Sequence, residues 1–308
     1  MSKKKKMSLK EKIIKFLAEQ PRPGLVVQFT PGRVCALKAE EITRGSGFKK
    51  ESFLMRPLPP GILEANHLKQ NILDKDYLQK VLDDLLAEIK PDRHSASLLI
   101  PEMSARVFLF SLENGLTSPV ELNNFVAWRL NRQLSQNISQ IRYSYQLFNS
   151  SREKKILVLC SGSAVVKEYE SLFQARKIHP GKIIIPSLSV LNLVISQAER
   201  EDDLLVADLD HDYLSLAALA REGLLLYRQK QVWPEVDITR TLEEVDKEIK
   251  NTVNFIEDKL KRQLKVIYLR SNLEQTDEVE ERLKLLAPIK VKRIMPGQEE
   301  LAPLLGEI

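Results

Sequence analysis

The sequence predicts a duplicated α/β fold whose two halves face each other across a cleft, and three observations carry that reading. The stretch from Leu204 to Arg228, LLVADLDHDYLSLAALAREGLLLYR, is three apolar runs broken at Asp210-His211-Asp212 and Arg221-Glu222-Gly223, the pattern of an antiparallel three-strand meander. The same pattern stands near the start: Leu25 to Phe29, a turn at Thr30-Pro31-Gly32, a second run from Arg33 to Glu40 and a third from Phe48 to Met55. Each meander is followed by helices alternating with strands. In the middle run of the later copy, Leu214, Leu216, Ala218 and Ala220 alternate with Tyr213, Ser215, Ala217 and Leu219, so both faces are largely apolar and the sheet is expected to be covered on both sides.

The elements follow in chain order. After the lysine run Lys3 to Lys6, Ser8-x-x-Glu11 reads as a capping box opening a short helix with Leu9, Ile13, Phe16 and Leu17 on one side, ended by Pro21 and Pro23. Its stripe is short, so it reads as a helix packed on the body with a solvated lysine tail, in preference to a membrane-surface anchor. Arg56 to Gly61 is a proline-rich extended turn, and Asp74 caps a helix with Leu78, Val81, Leu82, Leu85 and Ile89 at helical spacing. Ser97 to Ile100 is a strand. The best-signalled helix starts at Ser118, with Pro119 first and Glu121 closing a capping box, and lies between strands Val107 to Phe110 and Ile141 to Phe148. Strand Ile156 to Cys160, a helix around Tyr169, strand Lys182 to Ile185 and a helix through Val190 to Ile195 complete the first half. After the second meander, Thr241-x-x-Glu244 caps a long helix striped by Val245, Ile249, Val253, Ile256 and Leu260. Strand Val266 to Leu269, a helix at Glu278 to Leu286 and strand Ile289 to Ile294 close the chain. The expected division is a tail at 1–23, a first half at 24–203 with an inserted subdomain at 106–148, and a second half at 204–308 with an outer subdomain around 234–262.

Composition sets the class. With 308 residues, 43% hydrophobic and 29% charged, the chain is an ordinary globular protein large enough for two cores. No apolar run is long enough to span a bilayer and no signal peptide is visible, which leads to the expectation of a cytoplasmic protein. Cys35 and Cys160 lie inside apolar runs, as small buried thiols do. The net charge is +5, and Lys3 to Lys6 supply most of it. A body near neutrality, with no nucleic-acid-reading motif, argues against a nucleic-acid partner.

LVVQFTPGRVCALKAE, LMRPLPPGILEANHLKQNILDKDYLQKVLDDL, SPVELNNFVAWRLNRQLSQN with IRYSYQLF, and the second meander stand in the order of segments of the PilM family, which the chain resembles over nearly all its length after Pro23. That family is the actin-like cytoplasmic component of type IV pilus machines. The resemblance implies the actin-like (ASKHA) fold, with the first hairpin of each half at the phosphates of ATP.

The residues at those positions depart from the nucleotide pattern. Where the family pattern has an acid, a glycine and a lysine in the first hairpin, this chain has Gln28, Thr30 and Cys35. In the second hairpin Asp208 keeps the carboxylate, but Asp210 replaces the glycine, and Asp210 and Asp212 would turn negative charge towards a triphosphate, a repulsion on the order of a few kcal/mol. Arg270-Ser271 stands where the family has paired glycines for adenosine. The expectation is a lost nucleotide site with Asp208 as its vestige, no cofactor and no catalysis. Asp208-x-Asp210-x-Asp212 lacks the glycine and glutamate of a calcium loop, and His67, His94, His179 and His211 have no ligand-like spacing, so no metal is expected. Cys160-Ser161-Gly162-Ser163 lacks the hydrolase elbow's glycine spacing and reads as a helix start capped by Ser161 or Ser163.

Three functions compete. The first is a scaffold at the inner face of the inner membrane, attached to it through partners. It would bind the cytoplasmic N-terminal tail of a PilN-type membrane protein and link it to pilus motor ATPases. The second is an ATP-binding actin-like protein with an atypical site. The third is the cytoplasmic part of a type II secretion L-type protein, which would need a membrane span after Ile308. For the scaffold, the resemblance places the tail between the inserted subdomain and the first large subdomain, and the residues expected to meet it are Arg106, Leu122, Phe125, Val126 and Arg129.

Overall fold

The structure is a computed structural model that describes residues 23–39, 52–91, 94–112, 118–149, 154–197, 203–233, 236–286 and 289–308. The helix expected at 8–17, the lysine run, the start of the third run and the junction at 198–202 lie outside those residues.

Two mixed five-stranded sheets have the same plan. In the first, Leu25–Thr30 (β1), Arg33–Lys38 (β2), Phe53–Pro57 (β3), Ser95–Leu99 (β4) and His179–Ile184 (β8) run in the order β3-β2-β1-β4-β8. In the second, Leu204–Leu209 (β9), Tyr213–Ala220 (β10), Gly223–Gln231 (β11), Val266–Ser271 (β12) and Lys290–Arg293 (β13) run β11-β10-β9-β12-β13. Each sheet is an antiparallel meander extended by two parallel strands. Every residue of β1, β9 and β10 is buried, as strands covered on both faces require. The first turn is held by Thr30, whose Oγ1 accepts from the Arg33 N–H at 3.1 Å. At the β10–β11 turn, Gly223 takes φ +126°, which a side chain would strain.

Seven helices cover these sheets among the described residues: Lys75–Ile89 (α1), Pro119–Gln133 (α2), Ser163–Gln174 (α3), Pro186–Gln197 (α4), Ile238–Asp258 (α5), Thr276–Leu286 (α6) and Ala302–Leu305 (α7). Asp74 caps α1 by accepting from the Tyr77 N–H at 2.9 Å, and Ser118 with Glu121 forms the capping box of α2. Helix α5 starts earlier than expected. Its cap is Asp237, which accepts from the Arg240 N–H, while Thr241 is buried inside the first turn. Neither Ser161 nor Ser163 caps α3. Gly162 holds that position, and the Ser161 hydroxyl donates to the Ser104 carbonyl at 2.6 Å.

Alternation along β9 joins the halves. Leu204 and Val206 enter the core built on the first sheet, α3, α4 and α7, whereas Leu205, Ala207 and Leu209 enter the core under α5 and α6. The chain's last turn seals the first core: a Cβ at Gly306 would overlap the Ser189 carbonyl on α4. Gly306→Ala is therefore expected to destabilise the fold by about 1–3 kcal/mol, read from the midpoint of urea unfolding.

A third sheet differs from the expectation of an insert at 106–148. Arg106–Leu112 (β5) and Ile141–Asn149 (β6) both pair with Lys154–Gly162 (β7), giving the order β5-β7-β6. The strand that was assigned to the first half's main alternation is thus the centre of the small module, and the module's sheet extends to residue 162. Its β7 is buried on both faces. Ile156, Val158 and Cys160 pack under α2, and Leu157 and Leu159 face the first core. Both cysteines are buried thiols, and burial pushes Cys35 up to about 12 and Cys160 to about 11.

Candidate functional site

The cleft between the halves is occupied by the chain's own charges. Asp208 and Arg270 stand abreast on parallel strands β9 and β12, so their side chains share one face. The Arg270 guanidinium, fully buried, donates from Nη1 to Asp208 Oδ1 at 2.6 Å, from Nη2 to Asp210 Oδ2 at 2.7 Å and from Nε to the Glu299 carbonyl at 2.8 Å. Tyr213 donates its hydroxyl to Asp208 Oδ2 at 2.9 Å, and Asn272 Nδ2 donates to Asp210 Oδ1 at 3.1 Å. From the first sheet, Arg33 reaches Asp210 at 3.6 Å. Burial raises the Asp208 carboxyl. Against the same burial, the Arg270 and Arg33 guanidiniums hold Asp210 well below the usual carboxylate range. The sequence reading had Asp210 and Asp212 projecting uncompensated charge and Arg270 merely displacing a glycine. In the structure Arg270 pairs with both Asp208 and Asp210, and Arg33 supplies the second positive charge beside Asp210.

Glu102, just beyond β4, was not singled out from sequence. Its carboxylate oxygens lie 2.6 Å from the Ser187 hydroxyl, 3.1 Å from the Ser187 N–H, 3.1 Å from the Tyr227 hydroxyl and 3.1 Å from Gln229 Nε2, so it ties the first half to β11. Burial pushes its carboxyl up to about 8. A lone acid after a buried strand carries no sequence signal beyond its position. Gln28, where an acid was missed, is buried on β1 with its Nε2 unpartnered. Among the described residues no group of three or more His, Cys, Asp or Glu could hold a metal ion. His94, His179 and His211 are exposed, and His67 is half-buried with its pKa lowered by burial and by Arg106.

The second feature is a groove. Strand β6 is the outer strand of the small sheet and β8 the outer strand of the first large sheet, and contiguous cavities of about 680 and 230 Å³ lie between them. One wall is β6 from Arg142 to Phe148 and the other is Lys182, Ile183 and Ile184 of β8. Leu157 and Leu159 of β7 line it between these walls, and Leu188, Leu191 and Ile195 of α4 close one end. Leu147 and Ile195 are 39% and 43% exposed, large apolar side chains facing this space. Its cations are already paired, Arg142 with Glu170 at 2.6 Å and Lys182 with Glu307 at 3.0 Å. The six residues of β8 offer an extended edge of roughly 20 Å.

None of the five residues expected to meet a partner lines this groove. Leu122 and Val126 are buried on the inner face of α2 as the module's own core, because that helix face is turned to β5 and β7. Phe125 and Arg129 lie against Phe110, with the Arg129 guanidinium 4.6 Å from the ring centre. Arg106 is exposed and lines a separate cleft with Phe108 and Tyr227. The structure brings these residues to the opposite face of β7 from Leu157 and Leu159.

No protein-family model matches the chain, and no curated protein matches it. Solved structures do. A PilM-PilN type IV pilus biogenesis complex is similar with a TM-score of 0.75 at 13% identity, over 93% of this chain and 98% of that one. A Bacteroides thetaiotaomicron protein described as having an actin-like ATPase fold and unknown function gives 0.52 at 11% identity, over 94% and 97%. The cytoplasmic domain of EpsL, an inner-membrane component of the Vibrio cholerae type II secretion system, gives 0.52 at 10% identity, over 92% and 93%. Taken with the repeated sheet plan, these likenesses show that the chain has the duplicated α/β fold of the actin-like kind.

Proposed function

We propose that this chain is a non-catalytic scaffold of a type IV pilus or related secretion platform. It works at the cytoplasmic face of the inner membrane and holds the N-terminal tail of a PilN-type membrane protein in the groove between β6 and β8. The observation that carries this reading is the pair of unpaired strand edges facing one another across an apolar groove. An extended peptide entering there can hydrogen-bond to a strand edge through its backbone and place alternate side chains on Leu157, Leu159 and Ile183. The likeness to the PilM-PilN complex supports that partner class. A peptide held this way binds typically in the micromolar range. Leu147→Glu changes an exposed position on the groove wall, so the fold is retained while a carboxylate is placed against the peptide. Calorimetry with the N-terminal peptide of the membrane protein encoded beside this one is expected to show at least about a tenfold loss of affinity in that variant. Equal affinity in parent and variant, or no binding to either, removes the groove from the proposal.

The same reading leaves no room for ATP, because Asp208 and Asp210 are already paired with the Arg270 and Arg33 guanidiniums in the cleft. Titration of Mg-ATP is expected to give no binding heat and no thermal stabilisation. A saturable stabilisation lost in Asp208→Ala would favour the ATP-binding reading instead.

A further inference from the structure

The outer face of the small module carries a second feature, independent of the groove. On α2, Phe125, Trp128, Arg129 and Arg132 recur at helical spacing on one side. The Arg129 guanidinium lies 4.6 Å from the centre of the Phe110 ring and 5.9 Å from Trp128, and Arg132 lies 5.1 Å from Trp128 on the same indole. Phe110 stacks on Phe108 at 5.6 Å along β5, and Arg106 follows two residues on, pointing to the same side. A strip of guanidiniums and rings results, from Arg132 through Trp128, Arg129 and Phe110 to Phe108, with Arg106 on the same side of β5.

Two observations say that this strip is unfinished. Among the described residues, every arginine elsewhere has a carboxylate partner except Arg221 and Arg228, and Arg228 stacks on Phe255. Among the described residues no such carboxylate stands against Arg106, Arg129 or Arg132, and the buried Nε of Arg129 has no acceptor. Trp128 is 50% exposed, with the Arg129 and Arg132 guanidiniums 5.9 and 5.1 Å from its ring. A half-exposed tryptophan flanked by arginines has the composition of an interface hot spot.

We propose that this strip is a second docking surface, and that its occupant is an acidic segment of a partner protein, with carboxylates spaced by apolar residues. The carboxylates would meet Arg106, Arg129 and Arg132, and an apolar side chain between them would cover Trp128. Charge complementarity selects this occupant: the strip offers donors in fork geometry and no acceptors, which suits carboxylates. A nucleic acid would also stack on the rings, but the body of the chain is near neutral and offers little net charge to a phosphate backbone. Because Leu157 and Leu159 line the groove from the other face of β7, a scaffold could hold its membrane tail and this second segment together.

The test uses the full chain carrying Trp233→Phe, so that Trp128 is the sole tryptophan fluorophore. The probe is a short synthetic peptide alternating glutamate with leucine, beside its glutamine counterpart and a single-stranded oligonucleotide of equal charge. The acidic peptide is expected to shift Trp128 emission saturably and to weaken at least about tenfold in Arg132→Gln and in Arg106→Gln, both exposed positions. The glutamine peptide is expected not to bind, and Leu147→Glu to leave this affinity unchanged. Equal binding of the glutamine peptide, unchanged affinity in both arginine variants, or tighter binding of the oligonucleotide would each overturn the proposal. Failure of the groove peptide in the earlier calorimetry would leave this result untouched.

Discussion

Arg270→Met is expected to lower the free energy of unfolding by about 3–5 kcal/mol, the usual consequence of stripping one partner from a buried ion pair. Methionine fills much of the volume of the arginine stem, so the loss reports charge more than cavity. With the guanidinium gone, Asp208 and Asp210 face each other in a site closed to solvent, and only Arg33, at 3.6 Å from Asp210, remains to balance them. The Glu299 carbonyl also loses its donor, which loosens the segment leading into α7. If charge is the cause, adding Asp208→Asn and Asp210→Asn to Arg270→Met restores most of the stability, since a neutral buried set can match an ionic one. Urea unfolding of the three proteins at neutral pH reads this directly. A single variant as stable as the parent, or a triple variant no better than the single, would show that the cleft is not held by this pairing.

How much of this was legible depended on the range of the interaction concerned. The two meanders could be read because a strand covered on both sides needs apolar residues at nearly every position, and Leu25 to Phe29 and Leu204 to Leu209 supply them. Caps are equally local: Asp74 and Ser118 declare themselves within four residues. Thr241 misled because a capping box inside a helix has the same spelling as one at its start, and Asp237 four residues earlier took the role. The pairing of β7 was not legible. A short run apolar on both faces fits the centre of any sheet, and only contact with β5 and β6 assigned Ile156 to Cys160 to the module. The groove was not legible for the same reason: it is made by two strand edges distant in sequence, β6 and β8, whose meeting no local pattern encodes, and the residues expected from the resemblance to meet a partner, Phe125 and Arg129 among them, do not line it. Arg270 looked like a substitution that removes a site, because its bonds to Asp208 and Asp210 span some sixty positions of the chain.

Stability is expected to fall as pH rises from about 5 to about 8, with Glu102 and Asp212 among the sources. The cleft holds four carboxyls, Glu102, Asp208, Asp210 and Asp212, against two guanidiniums, Arg33 and Arg270, so electroneutrality leaves two protons to be kept. Burial and the neighbouring acids assign them: Glu102 is pushed up to about 8, and Asp212, whose Oδ2 is buried without a partner, to about 7. Both folded values lie above the unfolded ones. Below the ordinary carboxyl range folded and unfolded chains carry these protons alike and the stabilisation is fully present. As pH rises the unfolded chain releases them first, the folded chain holds them at increasing disadvantage, and the contribution is gone once pH passes the folded values. For Glu102 the span from its ordinary value of 4.5 to about 8 corresponds to an upper limit of about 5 kcal/mol. Asp210 acts in the opposite sense and only in acid, where protonation breaks its bond to Arg270. Glu102→Gln isolates the effect, because the amide has the same shape and cannot ionise. It is expected to be slightly less stable than the parent at pH 5, since an amide nitrogen cannot accept from the Ser187 N–H, and more stable at pH 9, where the parent carries an unbalanced buried charge. Urea midpoints measured across that range should therefore cross. Parallel curves for the two proteins, or a parent whose stability climbs between pH 5 and pH 8, would mean that Glu102 enters the folded state already ionised.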